Sequence, residues 1–250
     1  MSLYDATRTL GPIGTYIPYE GLRSIWEKVT ERGDFVGFDG IVCTAYAYHF
    51  TDAFHHENPD AANRMSKGHA YDLKSNVFEK LPDIFHEKKP DDGHEYIKIL
   101  GLVKMRRAYR FIRRDYVNHP DTLPKWKVII PRANGSGALG EALSTPLIGQ
   151  PLIGHTETFM SVGCFDSKKE AEALLKYIKS KFARTLLGIL KTTQDNPPEK
   201  WKFIPLQDFT SASDIDWSKS VSEIDRQLYR KYGLSQDEID FIESHVKEMD

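Results

Sequence analysis

Cysteine is nearly missing from these 250 residues: only Cys43 and Cys164 occur, far apart and each in an apolar stretch. A disulfide framework and a cysteine-based zinc knuckle are therefore excluded, and two buried free thiols in a reducing compartment are expected. Also missing is any run near the roughly 18 apolar residues that a membrane helix requires. Met1-Ser2-Leu3-Tyr4-Asp5 offers neither the basic nor the apolar region of a secretory signal, so a cytoplasmic protein with no membrane partner is expected. Excess charge is absent too, since 34 lysines and arginines face 36 aspartates and glutamates. That balance argues against a chain that coats nucleic acid by net charge alone. There is no P-loop, no G-x-S-x-G and no paired His and Asp arrangement for hydrolysis. His49, His55 and His56 match no metal-ligand spacing, and no metal site is expected.

What is present is an uneven distribution of charge. Between Lys98 and Arg132 lie Lys98, Lys104, Arg106, Arg107, Arg110, Arg113, Arg114, Lys125, Lys127 and Arg132, opposed only by Asp115 and Asp121. After Asp208 the sign reverses, through Asp214, Asp216, Glu223, Asp225, Asp237, Glu238, Asp240 and Glu243. Such asymmetry suits a surface that meets a polyanion, although a merely solvated basic face has the same composition.

Periodicity predicts an α+β protein: a mixed sheet, a few packed helices and a C-terminal helical hairpin. Leu22, Ile25, Trp26 and Val29 form one stripe of a helix from about Pro18 to Glu31, with Gly33 as its stop. Ile41 to Phe50 reads as a strand, and Thr51 to about Gly93 as long loops. Glu95 to Leu102, Ala108 to Arg113, Lys125 to Pro131 and Thr156 to Phe165 read as strands, with a short one at Lys202 to Pro205. Ser167 and Glu170 form a capping box before a helix that reaches about Leu190. Two short helices, Glu223 to Tyr232 and Gln236 to Met249, end the chain, with Gly233 closing the first. The divisions suggested are 1–95, loop-rich; 96–207, the recognition core; and 208–250, an acidic tail packed on that core.

Two motifs promise more chemistry than their context supports. Gly135-Ser136-Gly137-Ala138-Leu139-Gly140 matches G-x-G-x-x-G, yet Pro146 and Pro151 break any helix that would receive a cofactor. A loop that approaches DNA is the expected use. Asp195-Asn196-Pro197-Pro198 approaches the motif with which amino-methyltransferases hold a flipped base, but Glu199 stands where the stacking aromatic belongs. A proline-rich turn is expected there. Pro82-Asp83 followed by Glu87-Lys88-Lys89 is the nearest approach to a nuclease site, and proline–aspartate turns are common.

A resemblance runs from about Glu95 to the end. Its residues are Tyr109 to Tyr116 (YRFIRRDY), Lys127 to Gly137 (KVIIPRANGSG), His155 to Phe159 (HTETF), Lys179 to Arg184 (KSKFAR), Thr193-Gln194-Asp195, Pro205 to Phe209 (PLQDF) and Gln227 to Leu234 (QLYRKYGL). In these the chain resembles the C-terminal target-recognition region, with a TaqI-like specificity domain, of adenine-specific N6 DNA methyltransferases from restriction–modification systems. The resemblance implies a reader of double-stranded DNA that serves a separate catalytic domain. That parent domain would carry S-adenosylmethionine, and no cofactor is expected in this fragment. The fragment itself would not be catalytic, and its partners would be duplex DNA and the parent's methyltransferase domain. The DNA-contacting residues it suggests are Arg106, Arg107, Arg110, Arg113, Arg114, Lys125, Arg132, Asn134, Ser136, His155, Lys181 and Arg184. Within Arg106 to Arg114, Tyr109 and Phe111 are expected to enter the core while the arginines face DNA. The rivals are a restriction endonuclease or other nuclease domain, and a protein-binding module that uses the acidic tail.

Overall fold

The computed structural model describes residue 17 and residues 19–133, 139–141, 143–190 and 193–249. It is an α+β protein with mixed sheets, and two helices close the chain. The described residues fall into two compact units: one drawn from Met1–Gly40, Asn134–Leu143 and Ala173–Asp250, the other from Ile41–Ala133 and Ser144–Glu172. None of the described helices is long and apolar enough to cross a membrane.

The first unit is helical. Helix α1 (Glu20–Thr30) buries the expected Leu22, Ile25, Trp26 and Val29; Pro18 lies outside the described residues. The single helix expected up to Leu190 is instead two, α5 (Lys168–Lys179), whose first residues belong to the other unit, and α6 (Lys181–Leu190). The break at Ser180 has local causes. The Ser180 hydroxyl accepts from the Ala183 N–H, and the Asp225 carboxylate accepts from the N–H groups of Lys181 and Phe182 at 3.0 and 2.9 Å. These bonds satisfy the donors that a fresh helix start exposes. The short strand expected at Lys202 to Pro205 reduces to one bridge, Gly37 to Pro205, after a 3-10 turn at Pro198–Trp201.

Helices α7 (Val221–Lys231) and α8 (Gln236–His245) each carry a complete capping box, Ser220 with Glu223 and Ser235 with Glu238. Gly233, at φ +61°, ends α7 in a Schellman motif: Leu234 N–H donates to the Tyr229 carbonyl and Gly233 N–H to that of Arg230. Ile224, Leu228, Ile242 and Val246 are buried. Buried Glu238 ties α8 to α1 by accepting from Ser24 Oγ at 2.6 Å and Lys28 Nζ at 2.7 Å.

The second unit holds the sheets. A short β1 (Val42–Cys43), β9 (Phe159–Phe165), β6 (Trp126–Pro131) and β7 (Leu147–Gly149) form an antiparallel sheet in the order β1-β9-β6-β7. The one strand expected from Ile41 to Phe50 is thus divided. Its end, β2 (His49–Phe50), pairs with β5 (Val117–Asn118) in a separate ribbon. A third sheet runs β4-β3-β8, with β3 (Tyr96–Val103) antiparallel to β4 (Arg106–Arg113) and parallel to β8 (Ile153–His155). The segment expected as long loops contains α2 (Asp52–Glu57), α3 (Ala61–Arg64) and α4 (Val77–Lys80). It supplies Phe54, Ala61, Met65, Leu73, Val77, Phe78, Leu81, Ile84 and Phe85 to the core under β3 and β4. Its apolar residues are spaced too irregularly to announce helices, since each helix spans at most two turns. The thiols are free, but Cys164 is exposed rather than buried and Cys43 half-buried.

Candidate nucleic-acid interface

Most of the basic residues singled out above converge on the β3–β4 hairpin. Eight cross-strand pairs fix its register, from Tyr96 with Arg113 to Val103 with Arg106. Alternation places Tyr96, Lys98, Leu100, Leu102, Arg107, Tyr109, Phe111 and Arg113 on one face, and Ile97, Ile99, Gly101, Val103, Arg106, Ala108, Arg110 and Ile112 on the other. The second face carries the buried residues Ile97, Ile99 and Ile112, and the first buries Leu100 in a smaller cluster with Ile129 and Phe159. The expectation that Tyr109 and Phe111 enter the core is therefore overturned. Tyr109 is 42% exposed and Phe111 half-buried, with Lys98 Nζ 5.1 Å above its ring. The strand period of two makes aromatics at 109 and 111 share the side of Arg107 and Arg113; that side is covered only around Leu100 and Leu102, while the side of Ile112 packs on the larger core.

The cations differ in what they already hold. Arg113 forks between Glu57 at 2.7 Å and Asp115, and lies over the Tyr116 ring; the Asp115 carboxylate holds its pKa well above the ordinary value. Arg110 bonds Glu87 at 2.7 Å and Arg114 bonds Glu95 at 3.2 Å, both carboxylates being largely exposed. Exposed pairs of this kind are worth little and exchange readily for another anion. Arg107 donates to the Thr145 and Ser144 carbonyls and lies 5.4 Å from the Phe159 ring, and burial lowers its pKa. Lys98, Lys104 and Arg106 have no carboxylate partner among the described residues. Elsewhere in the unit, Lys125 pairs with exposed Asp166, and Arg132 donates to Tyr46 Oη at 2.6 Å while lying over that ring. Asn134 and Ser136, with the glycines between 135 and 137, lie outside the described residues.

Two candidates turn inward. His155 is fully buried: its Nδ1–H donates to the Thr156 carbonyl at 3.1 Å, and Nε2 accepts from Ser161 Oγ at 3.4 Å. Beside it, the Lys127 ammonium is buried and donates to the carbonyls of Thr122, Leu123 and Lys125. In the helical unit, Lys181 pairs with Glu243. Arg184, only 2% exposed, donates to the carbonyls of Lys179, Gly140, Glu141 and Lys247. Both His155 and Arg184 are thus committed to the interior in this structure.

Burial pushes the His155 pKa down to about 4 from 6.5. Because the folded pKa lies below the unfolded one, the stability it contributes is complete above about pH 6.5 and is lost as pH falls toward 4. In urea titrations the stability difference between the wild type and His155→Asn should shift by about 3 kcal/mol across that window, because a tenfold change in proton affinity is worth about 1.4 kcal/mol. His155→Asn should flatten the loss, and an equal loss in the variant would acquit His155.

The remaining motifs also receive a setting. Gly140, at φ +71°, packs where a Cβ would sit 2.7 Å from the Val246 backbone, so it permits close approach within the helical unit. Asn196 is buried, and its carbonyl accepts from Trp201 Nε1 at 3.2 Å across the turn that follows the two prolines. Asp83 is held by both terminal nitrogens of Arg64, at 2.6 and 3.0 Å. His49 and His69 both approach Asp72, whereas His55 lies among Phe50, Phe54 and Tyr71.

No family model matches the chain, and no curated protein matches it. Among solved structures the chain is similar to the type IIG restriction endonuclease BpuSI, at 12% identity and a TM-score of 0.40. That similarity covers 91% of this chain, which spans about a third of the other (32%).

Proposed function

We propose that this chain binds double-stranded DNA in a sequence-dependent way, as the target-recognition module of an adenine-N6 DNA methyltransferase from a restriction–modification system. The observation that carries the DNA-binding part is the β3–β4 hairpin, which carries Lys98, Lys104, Arg106 and Arg110 together with exposed Tyr109 and runs on into Arg114. Cations positioned by a rigid element neutralise phosphates, and the end of the hairpin beyond β8, from Gly101 to Ala108, is a two-stranded ribbon narrow enough for the major groove. The methyltransferase part rests on the sequence resemblance. Catalysis and S-adenosylmethionine would belong to the parent's other domain.

Binding of a fluorescent 30-bp duplex, followed across a salt series, tests the reading. Engagement of about six cations predicts a slope near −5 in log K against log salt, and roughly a thousandfold loss between 50 and 200 mM. Replacing Lys98, Lys104 and Arg106 together by glutamine should reduce the slope by nearly three without lowering the melting temperature, because none of them holds a carboxylate. Arg113 is left out since it also secures α2 through Glu57. A wild-type slope near zero, or no binding at low salt, would overturn the reading.

A further inference from the structure

Two residues at the end of the hairpin hold a conformation that their side chains disfavour. Lys104 and Met105 form the whole connection between Val103 and Arg106, at φ +48° and +61°. Positive φ at both central positions is the type I′ turn, which matches strand twist and is normally built from Asn-Gly. Lysine and methionine gain nothing locally from being there, and strain of this kind gathers where function requires the side chain. Met105 is 86% exposed, the most exposed large apolar residue among those described.

The turn is also braced. Lys104 N–H donates to Glu79 Oε1 at 3.1 Å, and Glu79 belongs to α4, whose Val77 and Phe78 are buried in the core beneath the hairpin. Gly101 lets Phe78 close in, because a Cβ there would sit 2.6 Å from the ring. The result is a stiff ribbon that ends in one flexible thioether, with a cation before it and a cation after it.

We propose that this turn is a base-reading probe: Met105 enters the major groove and lies against the 5-methyl group of thymine, while Lys104 and Arg106 hold the flanking phosphates. The proposal rests on the DNA-binding reading above and adds the residue and the base feature. Thymine's methyl is the one apolar group that the major groove presents, and an unbranched, polarisable side chain adapts to it. The ammonium and guanidinium flank Met105 by one residue on each side, within reach of the phosphates that border one base step.

The test uses the full chain and its Met105→Gly variant. Each is used to select from 30-bp duplexes with a randomised centre, and the selected duplex is then remade with deoxyuridine for thymidine, which deletes only the methyl. The wild type should enrich an A·T pair and lose about fourfold in affinity with deoxyuridine, the worth of one buried methyl group. Met105→Gly should lose that enrichment and bind both duplexes alike. It should keep the wild-type salt slope and melt no lower than the wild type, since glycine takes positive φ freely. Equal enrichment and an equal deoxyuridine penalty in the variant would overturn the probe while leaving DNA binding intact. So would a wild type that binds duplexes but is indifferent to the methyl. A wild type that captures no duplex in low salt overturns the DNA-binding reading and the probe with it.

Discussion

Deleting everything after Asp208 should leave a protein whose helical unit does not fold. The tail buries Ile215, Ile224, Leu228, Tyr229, Tyr232, Ile242 and Val246. At roughly 1.5 to 3 kcal/mol for each large apolar side chain, the loss rivals the ~5–15 kcal/mol that stabilises an ordinary domain. The same cut removes Asp225, whose carboxylate starts α6, and Glu238, which ties α8 to α1. It leaves the α6 N–H donors open and uncovers the side of α1 that packs on α8. Light scattering should therefore show aggregation, and circular dichroism a loss of helix beyond that of the deleted segment. A soluble truncation that melts like the full chain would show that the tail is an appendage.

Arg184→Ala should be the most damaging of the single substitutions at the proposed DNA contacts, and its damage should be to stability. The guanidinium joins the carbonyls of Lys179, Gly140, Glu141 and Lys247, which come from three separate stretches of the helical unit. Alanine strands those acceptors in the interior and leaves a void, at a cost of about 3–5 kcal/mol. Calorimetry should record a fall of roughly 10 °C in the melting midpoint. Below the transition, duplex affinity and its salt slope should stay at wild-type values. Unchanged melting combined with weakened binding would return Arg184 to the DNA surface.

Periodicity by itself determined much of this molecule, wherever one element carries its own pattern. The stripe of α1, the capping box of α5, the Gly233 stop and the strands around Ile99, Ile112, Ile129 and Val162 are all legible, because helix caps and alternation are local physics. The hairpin was legible as two strands but not as a tight turn. Arg106 and Arg107 look like connection by propensity, and only pairing with Val103 and Leu102 draws them into β4. Met105 was missed for that reason, although two non-glycine residues between well-paired strands are the pattern that exposes it.

Tertiary structure alone decided the rest. A basic residue reads the same in a sequence whether it meets water, a carboxylate or a cluster of backbone carbonyls, so Arg106 and Arg184 could not be told apart. The division of one apolar run between β1 and β2, the core built from three short helices between Thr51 and Gly93, and the break at Ser180 likewise depend on partners distant in the chain. The sequence carries the preferences of each residue for a face, a turn or a cap. Which carbonyls and carboxylates surround a given cation follows from packing, and packing sets which charges remain for a ligand.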